Sequence, residues 1–199
     1  MNYISDILYW ISTGLLVPVI VLLIFFFGRA LILIGCFFGQ YQSIRRTAAL
    51  LRKELNGIDQ NNILTLSERL PKPPPSLIIT YIDRLLTTDS AAARQRLLAA
   101  FEIEADKDLS TSKTLSKMGP MLGLMGTLIP MGPALVGLST GDIASMAYNM
   151  QVAFATTVVG LFSASIGFIT QQVKRRWYLQ DMTDLEFIAT LLNENRNNA

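Results

Sequence analysis

The chain has 199 residues, of which 51% are hydrophobic and 16% charged, well short of the roughly 25% charged usual in soluble domains. A net charge of +2 argues against a nucleic-acid partner, because phosphate contacts need a concentrated basic surface. One cysteine excludes an internal disulfide framework, and without histidine there is no Cys/His metal cluster.

In chain order, residues 7–38 form one long apolar segment, interrupted only by Pro18 and Arg29. The N-terminus lacks a basic n-region and the segment is too long for a signal peptide, so it reads as a retained membrane anchor. Two placements of this first span are open. A helix over 7–28 puts Arg29 at the membrane border. One over 15–38 buries it near mid-membrane, where an isolated Arg costs about 2.5–3.5 kcal/mol on insertion scales. Cys36, inside the apolar run, reads as a small buried hydrophobe.

Residues 40–115 predict a polar, helical region outside the membrane. Gly57 is a plausible helix stop, and Pro71 to Pro75 reads as a stiff linker. Residues 76–88 suggest a short helix, with Thr87, Thr88, Asp89 and Ser90 as a break and N-cap. From Ala91 the pattern favours a helix that runs straight into the next span.

Residues 116–139 and 143–174 predict the second and third spans. There is no charged residue from Met118 to Leu138, nor from Ile143 to Val173. At about 1.5 Å rise, roughly 20 residues cross an apolar core about 30 Å thick. Both spans carry small residues where bulkier anchors would serve: Gly119, Gly123 and Gly126 in one, Ala153, Thr157, Gly160, Ala164 and Gly167 in the other. Alternating spacings of four and three mark a close-packing seam, needed where lipid gives no hydrophobic drive for association. Pro130 and Pro133 predict a kink in the outer half of the second span.

Residues 175–199 predict a C-terminal helix, with Leu185, Ile188, Ala189 and Leu192 on one narrow apolar face. That face is expected to pack on the other extramembrane helices of the same or a neighbouring subunit. Arg29, Lys174, Arg175, Arg176 and Trp177 read as membrane-interface anchors. The basic residues Arg45, Arg46, Arg52, Lys53, Lys113, Lys117 and Lys174 to Arg176 all lie on one side of the three spans. Positive-inside then gives an outside N-terminus and a cytoplasmic C-terminus in a multi-pass cell-membrane protein.

The segment Met-Gly-Pro-Met-Leu-Gly-Leu-Met-Gly-Thr-Leu over 118–128 resembles a motif of the MotA/TolQ/ExbB proton-channel family. Residues 153–161, Ala-Phe-Ala-Thr-Thr-Val-Val-Gly-Leu, look like that family's third helix, in which a threonine stands three residues before a Gly-Leu pair. The resemblance is to the ExbB/TolQ branch rather than to MotA, which has an extra span. It implies an all-α membrane protein of three transmembrane helices with a cytoplasmic helical extension, assembling as a ring-like bundle. It also implies a homopentamer around single-span ExbD/TolR-like partners, each bringing a membrane aspartate, with proton flow coupled to work. It supports the border placement of Arg29, and Thr127 and Thr157 match the family's pore threonines.

The spans offer walls for such a path and no proton carrier. Some relatives have a glutamate five residues before the third-helix threonine, where this chain has Val152. Asn149, Thr156, Ser163 and Thr170 recur every seven residues and so share one helix face. With Thr127 and Thr157, the residues Asn149, Thr156 and Ser163 are the candidate pore lining, since hydroxyls can orient water beside a carboxylate. The competing reading is that these groups only bond backbone carbonyls one turn back. A non-conducting scaffold and a Na⁺-driven stator are the rival functions. No nucleophile–base pair, metal site, cofactor motif or P-loop lysine points to an enzyme.

Overall fold

The computed structural model describes residues 2–55 and 76–197, and among them all regular structure is α-helix. Five helices follow in order: α1 (Asn2–Gly14), α2 (Leu16–Leu55), α3 (Leu77–Leu86), α4 (Ala91–Thr140) and α5 (Ile143–Asn197). Three stretches, Ile7–Tyr41, Ala91–Thr140 and Ile143–Asn195, contain windows long and apolar enough to cross a membrane. The stiff linker and the helix stop at Gly57 lie outside the described residues.

The first apolar segment is divided at Leu15. Pro18 is the cause, because it has no N–H to offer the carbonyl of Gly14. Backbone bonds from Leu15 to Ile11 and from Val19 to Leu15, both 3.1 Å, close the helix on either side of that gap. The second span is helical without a break through Pro120, Pro130 and Pro133. Pro130 is fully buried.

The chain divides into two compact units. One comprises Met1–Gly35 and Thr111–Gln171, the other Cys36–Ser110 and Gln172–Ala199. In the first unit α2 lies against the α4–α5 hairpin. Val19 and Leu23 pack with Leu122 and Ile129, and Ala30 packs with Leu115 and Ile166. The hairpin turns at Gly141, whose φ of +78° suits a residue without Cβ. Asp142 then caps α5, its carboxylate accepting the Ser145 N–H at 3.0 Å.

The second unit has a core of its own. Ile78, Ile79, Ile82 and Leu85 of α3 meet Phe101 and Ala105 of α4 and Leu185, Ile188, Ala189 and Leu192 of α5. The narrow apolar face of the C-terminal helix is therefore covered within its own chain. Tyr81 and Tyr178 stand edge-on to Phe101, at 5.3 and 6.3 Å between ring centres. The break after α3 is held by Arg94, whose Nε donates to the Thr88 carbonyl at 2.9 Å and whose Nη1 donates to Asn193 Oδ1 at 2.7 Å. Cys36 is exposed, not buried, because the apolar run around it covers more than one face of α2 and only one face finds a partner.

Candidate functional site

The α4–α5 seam is built from glycine. A Cβ on Gly119 would stand 2.7 Å from the Gly160 carbonyl oxygen, and one on Gly160 would stand 2.9 Å from the Gly123 Cα. A Cβ on Gly167 would meet the Ser116 nitrogen at 2.7 Å, and one on Gly126 would meet the Thr156 side chain at 2.6 Å. Only backbones without side chains can approach this closely. Ala153 and Ala164 are buried on the α5 side of the same seam.

That seam sorts the polar residues. On α4, Leu122 and Ile129 look toward α2 while Gly119, Gly123 and Gly126 meet α5. With 3.6 residues per turn, Thr127 falls just past the α5-facing edge, on the flank away from α2. On α5, Val159 and Ile166 look toward α2, and Ala153, Gly160 and Ala164 occupy the α4 side. Thr157 again falls on the far flank. Both threonines are part-exposed, about one turn apart along the same open edge of the helix pair.

The seven-residue stripe lies elsewhere. Thr156 is 8% exposed and Ser163 is 1% exposed. They were expected beside a pore, and both are instead enclosed within the subunit. The spacing puts them on one face correctly, but that face is the one Gly126 and its neighbours close. Thr170 is buried with them. Asn149, at the outer end, is part-exposed.

The hydroxyls of Thr127, Thr156, Thr157 and Ser163 each donate to a backbone carbonyl of their own helix. Thr127 Oγ1 bonds the Leu124 carbonyl at 2.7 Å, Thr157 Oγ1 the Ala153 carbonyl at 3.0 Å, and Ser163 Oγ the Val159 carbonyl at 2.8 Å. Thr156 Oγ1 shares its proton between Ala153 at 2.9 Å and Val152 at 3.1 Å, and Asn149 Nδ2 donates to the Ser145 carbonyl at 2.9 Å. Back-bonding of this kind uses the single hydroxyl proton and leaves the oxygen lone pairs. Thr127 and Thr157 therefore present acceptors to whatever meets the open edge.

Among the basic residues, Arg175 and Arg176 are exposed. Trp177 stacks on Phe37 at 5.8 Å, with Tyr41 beside it at 5.7 Å. Lys174, expected to reach the membrane interface, is buried and bonds Asp108 Oδ2 at 2.8 Å. Asp108 is what diverts it, because an ammonium beside a carboxylate is held more firmly there than in a solvated layer. Tyr178 Oη donates to the same oxygen at 2.6 Å. Burial opposes ionisation of Asp108, but the bonds from Lys174 and Tyr178 outweigh it and hold its carboxyl below the usual range. Burial, then the Asp108 hydrogen bond and charge, push the Tyr178 phenol up. One turn back on α4, Glu104 accepts from Tyr81 Oη at 2.8 Å.

Sequence reasoning missed this cluster. Its one signal is positional: Asp108 and Lys174 are equally distant from Gly141 in either direction, so a straight antiparallel hairpin sets them opposite each other. Arg29, whose depth the sequence left open, donates from Nη2 to Thr111 Oγ1 at 3.3 Å. Thr111 lies on the charged side of Lys113 and Lys117. The stretch 7–28 runs beside the uncharged part of α4, with Val19 and Leu23 against Leu122 and Ile129.

A hairpin of long apolar helices sealed by glycine contacts, with a third apolar helix against it, is the architecture of an integral membrane protein. Residues 77–186, more than half of the chain, match the model of the MotA/TolQ/ExbB proton channel family, and the chain belongs to that family. A proton-channel, stator-type function follows from membership at that coarse level. A comparison with curated proteins finds no match.

Proposed function

We propose that this chain is the pore-forming subunit of an ExbB/TolQ-like motor in the cytoplasmic membrane. Five copies surround single-span ExbD/TolR-like partners, and proton flow past a partner's membrane aspartate is coupled to mechanical work or transport. The observation that carries this reading is the place of Thr127 and Thr157. They match the family's pore threonines, and they share the open edge of the α4–α5 pair, away from α2.

The hydrogen bonds suggest how that edge would treat the aspartate. While both hydroxyl protons are held by Leu124 and Ala153, the threonines can accept a hydrogen bond only from a protonated, neutral carboxyl. An ionised carboxylate needs donors, so it would require a hydroxyl to turn away from its backbone carbonyl. The threonine edge thus distinguishes the two protonation states without carrying charge itself. Arg29, Arg175 and Arg176 orient the subunit with its basic side inward.

Native mass spectrometry of the detergent-purified complex, with and without the single-span partner, tests the assembly. The expected result is a pentamer that gains two partner chains. Proton flux in vesicles should then fall roughly tenfold in Thr157→Val, on the order of one lost hydrogen bond of about 1.4 kcal/mol. A complex that binds the partner but carries no proton flux would move the reading to a non-conducting scaffold, and one that conducts equally well with Val at 127 and 157 would take those threonines out of the proton path. Flux that follows sodium rather than pH would move it to a Na⁺-driven stator.

A further inference from the structure

We propose that Arg29, positioned by Thr111, binds the phosphate of a phospholipid in the leaflet on the Lys/Arg-rich side of the membrane. The inference does not depend on the pore reading.

Arg29 is the only charged residue between Asp6 and Arg45, and it is exposed. A guanidinium carries five N–H donors in a rigid fork that suits phosphate oxygens two at a time. Its bond to Thr111 is to a neutral hydroxyl and measures 3.3 Å, longer than the roughly 2.7–2.9 Å of a charge-assisted pair. No carboxylate among the described residues is paired with it. Thr111 thus sets the direction of the side chain and leaves most of its donors available.

The depth fits a headgroup. Ala30, next to Arg29, packs with Leu115, three residues before Met118, where the uncharged stretch of α4 begins, or about 4.5 Å along a helix. The headgroup layer on each side of the apolar core is roughly 5–8 Å thick, so the Arg29 backbone stands within that layer and its side chain extends outward through it toward Thr111. One and two turns further into the span on the same face of α2, Phe25 and Leu22 are 56% and 45% exposed. A cation at headgroup depth above an exposed apolar strip presents both halves of a phospholipid site. A free anion would use only the first half.

The full chain, purified in detergent and stripped of lipid, can be titrated with dioleoylphosphatidylglycerol and followed by native mass spectrometry. One lipid per chain should bind more tightly than the rest. Arg29→Gln should weaken that step by about tenfold, as loss of a charged hydrogen-bond pair would, Arg29→Lys and Thr111→Val should weaken it less, and Arg96→Gln, at an exposed position of α4 far from the apolar stretches, should leave it unchanged. Dioleoylglycerol, with the same acyl chains and no phosphate, should not fill the site, and millimolar inorganic phosphate should not empty it. Displacement by inorganic phosphate would overturn the proposal in favour of a free-anion site. Unchanged lipid binding in Arg29→Gln would overturn it outright, and a changed assembly mass in that variant would assign Arg29 to another chain instead. If Arg29→Gln does not fold, Arg29→Lys and Thr111→Val decide by the same readout.

Discussion

Substituting Gly160 by alanine tests the glycine seam most directly. The added methyl would meet three backbone atoms: the Gly119 oxygen at 2.7 Å, the Gly123 Cα at 2.9 Å and the Gly123 nitrogen at 3.1 Å. None is the end of a flexible side chain, so α4 and α5 must separate by several tenths of an ångström along the whole contact. Overpacking of this kind costs about 1–3 kcal/mol. Alanine also returns about 1 kcal/mol of helix propensity, which masks part of the clash. Gly28→Ala isolates that gain, because nothing lies within 4 Å of a Cβ there. Thermal unfolding of both variants in the same detergent should separate them by about 1–3 kcal/mol, with Gly28→Ala at or above the unaltered protein and Gly160→Ala below it. Equal stabilities would refute the reasoning, since the seam would then be loose enough to admit a methyl.

Lys174→Met removes the cation from a buried pair while Asp108 keeps its charge. Side-chain exposures of 7% for Lys174 and 38% for Asp108 reduce the roughly 3–5 kcal/mol of a fully buried break to about 1–3 kcal/mol, read by chemical unfolding. Asp142→Ala deletes the cap on Ser145 and should cost about 1 kcal/mol in the same assay. Asp181, in the C-terminal part of α5, makes stability depend on pH. Burial first, then the charge of Asp184, push its carboxyl up to about 7. The folded chain therefore holds a proton that the unfolded chain releases at ordinary carboxylate pH. The stability it contributes is complete below about pH 4 and is lost as pH rises through about 7. Melting temperatures should fall between pH 5 and pH 8, and Asp181→Asn should flatten that fall; an identical slope in the variant would discount the residue.

Charge spacing made the three spans legible, because a bilayer penalises an unpaired charge far more than any soluble core does. The same spacing located the small residues, and the structure sets Gly119, Gly123 and Gly160 against one another. What periodicity cannot supply is which face meets which neighbour. Thr156 and Thr157 are adjacent in sequence and about 100° apart on the helix. One is closed in by Gly126, and the other lies on the open edge. Only the antiparallel register with α4 separates them, and that register is a property of two segments meeting rather than of either alone. Lys174 shows the same limit from the other direction. At the end of an uncharged run beside two arginines and a tryptophan it has every local mark of an interfacial anchor. The carboxylate that claims it stands 66 residues away, so local pattern ranks Lys174 with Arg175 and Arg176, and pairing across the hairpin takes it out of their company. A polar residue in such a hairpin is therefore best judged by what stands at equal distance beyond the turn. At Lys174 that position holds Asp108 and the charge is buried, whereas Arg176, as far from Gly141 as Asp106, is exposed, so the count decides only where both residues also lie on the faces that meet.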